Sequence, residues 1–198
     1  MEKTETFFYF ILFCVLGVSA YMYYDHSDFK LKCIISDIDG NKYCVREREK
    51  IKDAVNLLAK VVKKMEDFIG VLKEKFPEDK RVQRLAQNFN PKKVSETLPT
   101  SSYTAYSENK GEKTAFCLNR EKQDNDHLID EHTLTFVALH ELSHDMSTQI
   151  GHKSEFWENF HFLLEQAKEA GIHEPKNYKE SPQEYCGMTI HDNPYYDL

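Results

Sequence analysis

The sequence predicts an α+β domain preceded by a membrane-spanning helix. Three observations carry the expectation: an uncharged apolar run over residues 7–24, two strand-turn-strand patterns, and four stretches whose apolar residues recur every three or four positions. A chain of 198 residues has room for one well-packed domain plus an appendage, divided here as an anchor over 1–24 and a domain over 25–198. With 40% hydrophobic residues and few Gly or Pro, wholesale disorder is excluded.

The N-terminal run reads Phe7-Phe8-Tyr9-Phe10-Ile11-Leu12-Phe13-Cys14-Val15-Leu16-Gly17-Val18 and continues uncharged to Tyr24. Its eighteen residues reach the lower range for crossing about 30 Å of hydrocarbon, and Tyr21, Tyr23 and Tyr24 resemble an aromatic belt. Val18-Ser19-Ala20 offers a rival reading as a signal-peptide cleavage site, but Glu2 and Glu5 against Lys3 make a poor positive leader. Single-pass membrane attachment through residues 7–24 is therefore the expectation, with its orientation unreadable because neither flank has a Lys/Arg excess.

A polar connector over 25–32 leads to a hairpin over 33–45 around Asp39-Gly40, a pair that tolerates the positive φ of a tight turn. Cys33 and Cys44 flank that hairpin, where a disulfide is open to them in an oxidising compartment; free buried thiols are the simpler expectation for the cysteines. Residues 49–76 form a long helix with Ile51, Val55, Leu58, Val62, Met65, Ile69 and Leu72 on one stripe, stopped by Pro77. A shorter helix over 79–89 follows, and residues 90–102 read as loop.

Residues 103–107 and 113–118 predict a second hairpin through Glu108-Asn109-Lys110-Gly111. After a charged loop, residues 131–150 are helical and Gly151 closes the helix; Ser154 caps the next, which runs to Gly171. The tail over 172–198 holds three prolines and shows little periodicity.

His140-Glu141-Leu142-Ser143-His144 is an HExxH pattern inside a predicted helix. Residues four apart share a helix face, so both imidazoles can reach one ion, and Glu141 stands beside them. Zn2+ lowers the pKa of its water towards about 7, and a nearby carboxylate can take that proton during attack on a peptide carbonyl. A catalytic site needs a third protein ligand and an open position. The reversal at Gly151 favours His152, while Glu155, Glu158 and His161 on the next helix are alternatives. His132 is a weaker candidate; His127, His173 and His191 sit where nothing requires a ligand. Tyr103, Tyr106, Tyr185 and Tyr195 are candidates for donating to developing negative charge, and packing is the default for each.

With 26 Lys and Arg against 33 Asp and Glu, a net charge of -7 and dispersed basic residues, a dedicated nucleic-acid surface is excluded.

The stretch Thr135-Phe136-Val137-Ala138-Leu139-His140-Glu141-Leu142-Ser143-His144, followed by Gly151-His152-Lys153-Ser154-Glu155-Phe156-Trp157, resembles the core of the WLM and SprT-like zinc metallopeptidases, particularly compact versions from large DNA viruses. The resemblance implies a zincin-like fold with a small sheet packed on the HExxH helix. It implies His140, His144 and His152 as zinc ligands, Glu141 as general base, and an edge strand, with the 103–118 hairpin as candidate, that aligns a peptide substrate. It also brings a viral setting, with virion proteins as partners and a virion or host internal membrane as location. The chain lacks the cysteine-rich zinc ribbon and basic surface of better-known cellular members, which argues against DNA-linked substrates. A catalytically silent, zinc-stabilised structural component is the alternative function, and a metal-free adaptor is a third.

Overall fold

The computed structural model describes residues 2–25, 31–124 and 127–196, which form two compact units, one within residues 1–30 and one over 31–198. The first is a helix, α1 (Glu2–Asp25), exposed along all its described side chains. Among the described residues no helix is long and apolar enough to cross a membrane. α1 carries the whole uncharged run of residues 7–24 in which an anchor was expected, and the described residues do not support a membrane span there. The single-pass location and membrane partner expected with it lose their structural basis. The belt residues Tyr23 and Tyr24 have side chains outside the described ones, and so does most of the 25–32 connector.

The second unit is mixed α+β. Its sheet has the order β1-β2-β3-β5-β4, built from β1 (Leu31–Ile35), β2 (Lys42–Arg46), β3 (Val94–Glu96), β4 (Ala105–Glu108) and β5 (Lys113–Phe116). The hairpins β1-β2 and β4-β5 are antiparallel, and β3 joins them by parallel pairing to β2 and β5. The first turn works as its sequence predicts: Gly40 has φ 71°, and the Asp39 carboxylate accepts from the Asn41 backbone N–H and the Tyr43 hydroxyl. β3 was expected to be loop. Three residues are too few to show alternation, and the pairing of Val94, Ser95 and Glu96 with β5 is a long-range gain.

Helix α2 (Ile51–Lys75) buries the predicted stripe, including Val55, Leu58, Val62, Met65, Ile69 and Leu72. α3 (Lys80–Asn88) is capped by Asp79, whose side chain accepts from the Arg81 N–H. α4 (Glu131–Met146) is capped by Asp130 in the same way and carries the HExxH residues. It packs against α2, α3, α5 (Ser154–Glu169) and β4, and is buried on nearly every side. Apolar residues all round a helix mark such a central position.

Two expected boundaries move. α4 ends at Met146 rather than 150, because Ser147 turns extended. α5 takes Lys153 as its N-cap, without a side-chain cap bond, so Ser154 is its first helical residue rather than its cap. The tail, expected to be irregular, folds into the hairpin β6 (Gln183–Tyr185) and β7 (Met188–Ile190).

Both cysteine pairs in this unit are disulfides, correcting the expectation of free thiols. Cys33 of β1 bonds Cys44 directly opposite in β2. Cys117, just past β5, bonds Cys186 in the β6-β7 turn and ties the tail to the sheet. Disulfides of this kind persist in oxidising compartments.

Beside the sheet lies a buried ion network. Glu96 accepts from the Arg46 backbone N–H at 2.7 Å and pairs with the Arg48 guanidinium, both side chains being fully buried. Arg48 also donates to Asn119 at 2.6 Å, and the Arg46 side chain donates to the carbonyls of Thr97 and Lys122.

Candidate metal centre

Helix α4 and the loop after it bring three imidazoles together. His140 and His144 project from one face of α4, as four-residue spacing requires. Because α4 stops at Met146, the chain turns back through residues 147–153 and delivers His152 to the same point. The His152 Nε2 lies 3.0 Å from the His140 Nε2 and 3.1 Å from the His144 Nε2. Among the described residues this is the one group whose ligand atoms, all within 4.8 Å of one another, could hold a metal.

The turn-back has identifiable causes. The Glu155 carboxylate accepts from the Thr148 N–H at 2.9 Å, the Thr148 hydroxyl at 2.6 Å and the Gln149 N–H at 3.1 Å. Carbonyls freed at the end of α4 are also engaged: Arg84 donates to Met146, Asn88 to Asp145 at 2.9 Å, and Lys110 to Ser147 and Gln149 at 2.9 and 2.7 Å. Asn159 of α5 donates to the Ser147 hydroxyl at 2.9 Å. Thus Glu155, an alternative third ligand from sequence, organises the loop instead. Glu158 and His161 stay outside the cluster, His161 pairing with Glu165. Glu155→Ala is expected to leave the fold intact and weaken zinc retention about 10-fold, as losses of ligand-orienting groups do. Competition against a chromophoric chelator measures it; unchanged affinity would show that other contacts hold the loop.

The donor chemistry fits zinc. Burial, then the neighbouring His144 and His152, pushes the His140 pKa down to about 3; burial, then His152 and Lys110, pushes that of His144 to about 4; and burial lowers His152 as well. All three rings are thus neutral at neutral pH, the form in which an imidazole can bind a metal. A tetrahedral zinc with Zn–N of about 2.0–2.1 Å separates its nitrogens by roughly 3.3 Å, close to the spacings here. The three imidazoles line a cleft of about 1100 Å³, and Glu155 is turned into the loop instead.

Glu141 lines that cleft and is 4% exposed. Burial first, then the nearby Asp145, pushes its pKa up to about 8. Asp145 is fully buried on α4 and accepts a hydrogen bond from the Ser107 hydroxyl of β4. Next to it, Gly111 has φ +100°, and a Cβ there would come within 2.7 Å of the Asn88 carbonyl and of Asp145 Oδ2. The β4-β5 turn is therefore seated directly on the end of α4. Neither this contact nor the Lys110 clamp was predicted; the only local sign was an acidic residue directly after His144.

The remaining candidates divide. Tyr103, Tyr106 and Tyr185 line the cleft. The Tyr185 hydroxyl donates to the Thr104 carbonyl at 3.2 Å. Tyr195 lies outside the cleft, stacked on His161. His132 approaches His173 and the Glu174 carbonyl rather than His140. His173 is buried, which pushes its pKa down to about 3, and His127 bonds Asp124. His191 lines the cleft, with its Nδ1 on the Thr189 carbonyl.

No family model matches the chain. It is 28% identical over 162 residues to an uncharacterized protein of Acanthamoeba polyphaga mimivirus, an overlap covering 80% of this chain and 81% of that protein. Among solved structures, Wss1 from Saccharomyces cerevisiae is similar at 18% identity and TM-score 0.46, over 64% of this chain and 89% of that one. A mutant of Wss1 from S. pombe is similar at 20% identity and TM-score 0.42, over 62% and 92%.

Proposed function

We propose that the chain is a zinc-dependent peptidase of the HExxH type with a zincin-like domain, in which His140, His144 and His152 hold the metal and Glu141 is the general base. The observation that carries this reading is the meeting of three neutral imidazole nitrogens at the wall of an open cleft that Glu141 also lines. When bound, zinc supplies a Lewis acid that polarises a carbonyl and makes water acidic near neutral pH.

The chain's own groups do the rest. Glu141, in its ionised form, takes a proton from water entering through the cleft and returns it to the leaving amine. β4 ends the sheet order, and its residues form one wall of the cleft, so among the described residues its outer edge has no strand partner and can pair with an extended peptide. The bond from Ser107 to Asp145 holds that strand at a set distance from the helix carrying Glu141. The viral relative supports a viral setting, and the disulfides an oxidising one.

Purified full-length protein is expected to hydrolyse an unfolded protein substrate, to stop on chelation and to recover with zinc alone. Hydrolysis indifferent to chelator would refute the proposal.

A further inference from the structure

One wall of the cleft is a flap. Tyr185, Met188 and Ile190 of the β6-β7 hairpin, and His191 after it, all line the cleft. Tyr185 is 2% exposed and stands within electrostatic reach of Glu141. The chain on either side is anchored: Tyr178 is buried before the hairpin, and Asn193 is buried after it and donates to the Lys176 carbonyl at 2.9 Å. The hairpin between these anchors has little of its own to hold it. Its strands are three residues each, Met188 and Thr189 are exposed, and a lone two-stranded hairpin is marginal in water. Its turn places Cys186 at φ 52° and Gly187 at φ 77°, a left-handed pair that suits glycine and costs a cysteine energy. A few contacts seat that turn. The Cys186 and Gly187 N–H groups donate to the Asn119 and Arg120 carbonyls at 3.0 and 2.7 Å, the Tyr185 hydroxyl donates to the Thr104 carbonyl, and Cys186 is bonded to Cys117.

We infer that the Cys117–Cys186 disulfide is a redox switch: it holds the hairpin against the cleft, and its reduction by a dithiol frees the hairpin and opens the substrate site while the metal centre stays intact. The inference rests on the peptidase reading and adds its regulation. A charge beside the bond favours the exchange, because the Arg46 guanidinium lies 4.0 Å from the Cys117 sulfur. A cation there stabilises a departing thiolate, and a better leaving group exchanges faster. Both cysteines are buried, so attack awaits a local opening of this short hairpin. One reductant thiolate then attacks the Cys186 sulfur, the S–S bond breaks, and its electron pair leaves on Cys117. The second reductant thiolate attacks the reductant's sulfur in the mixed disulfide, closing the reductant's own disulfide and releasing Cys186 as a thiolate. Two electrons pass to the protein, and each new thiolate takes up a proton. The three imidazoles lie on α4 and the loop after it, outside the flap, and so keep their places. The Cys33–Cys44 bond sits at the far edge of the sheet and has no part in this.

The test uses the zinc-loaded full chain carrying Cys14→Ser, Cys33→Ser and Cys44→Ser, which leaves one cysteine pair. Hydrogen exchange, zinc content and peptide hydrolysis are measured in the oxidised protein, after reduction and after reoxidation. A phosphine is the reductant, because thiols compete for zinc. On reduction the amides of residues 183–190 should exchange at least ~10-fold faster. KM should rise at least ~10-fold with one zinc retained, and reoxidation should restore both. Should this background fail to fold, Cys117→Ala combined with Cys186→Ala in the parent chain should reproduce the reduced state without a reductant. Exchange and KM unmoved by reduction overturn the inference alone. Zinc loss, or faster exchange spreading over α4, also overturns it, since the bond would then support the whole unit. No hydrolysis in any state overturns the peptidase reading, and exchange then decides the switch on its own.

Discussion

Glu141→Gln should retain one zinc per chain while losing peptide hydrolysis by about 10²- to 10⁴-fold, the usual contribution of a general base. The substitution preserves shape and removes the group that accepts the proton. Glu141 is excluded from the cluster of three imidazoles, so the metal should stay. It lines the cleft at 4% exposure, so little solvent competes to replace it as a base. His140→Ala should behave differently, losing metal and activity together, since it removes one of the converging nitrogens. Metal content and initial rates on the same preparations separate the two effects. If Glu141→Gln were as active as the parent, the carboxylate would have no part in the reaction.

The largest effect on stability is expected far from the metal centre. Glu96→Ala strands the buried guanidinium of Arg48 and leaves the Arg46 backbone N–H without its acceptor. Removing one partner of a buried ion pair costs about 3–5 kcal/mol, because the remaining charge has neither water nor counter-charge. Glu96 also lies in β3, which joins the two hairpins of the sheet, so the loss should fall on the whole unit rather than on a frayed edge. Urea unfolding at fixed zinc concentration measures it. Combining Glu96→Ala with Arg48→Met should recover part of the loss, and a single-variant change below about 1 kcal/mol would show that water reaches this network.

The elements legible in the sequence are those whose cause is local. The stripe on α2, the Asp-Gly turn between β1 and β2 and the four-residue spacing of His140 and His144 each follow from periodicity or turn chemistry. What escaped depends on distant partners. β3 exists because three residues pair with β5, and the β6-β7 hairpin is held through Cys186, 69 residues from Cys117. His152 was favoured because a glycine precedes it, yet the loop that carries it is shaped by Glu155, Arg84 and Lys110, none of which periodicity could assign. The helix at the N-terminus follows from an uncharged apolar run, which is exposed along its described side chains.

X-ray absorption at the zinc edge on the purified chain tests the central claim most directly. The account predicts one zinc per chain bound by three imidazole nitrogens and one light solvent atom, falling to substoichiometric metal in His152→Ala. A metal-free protein, or zinc bound through sulfur with His152→Ala fully loaded, would contradict it.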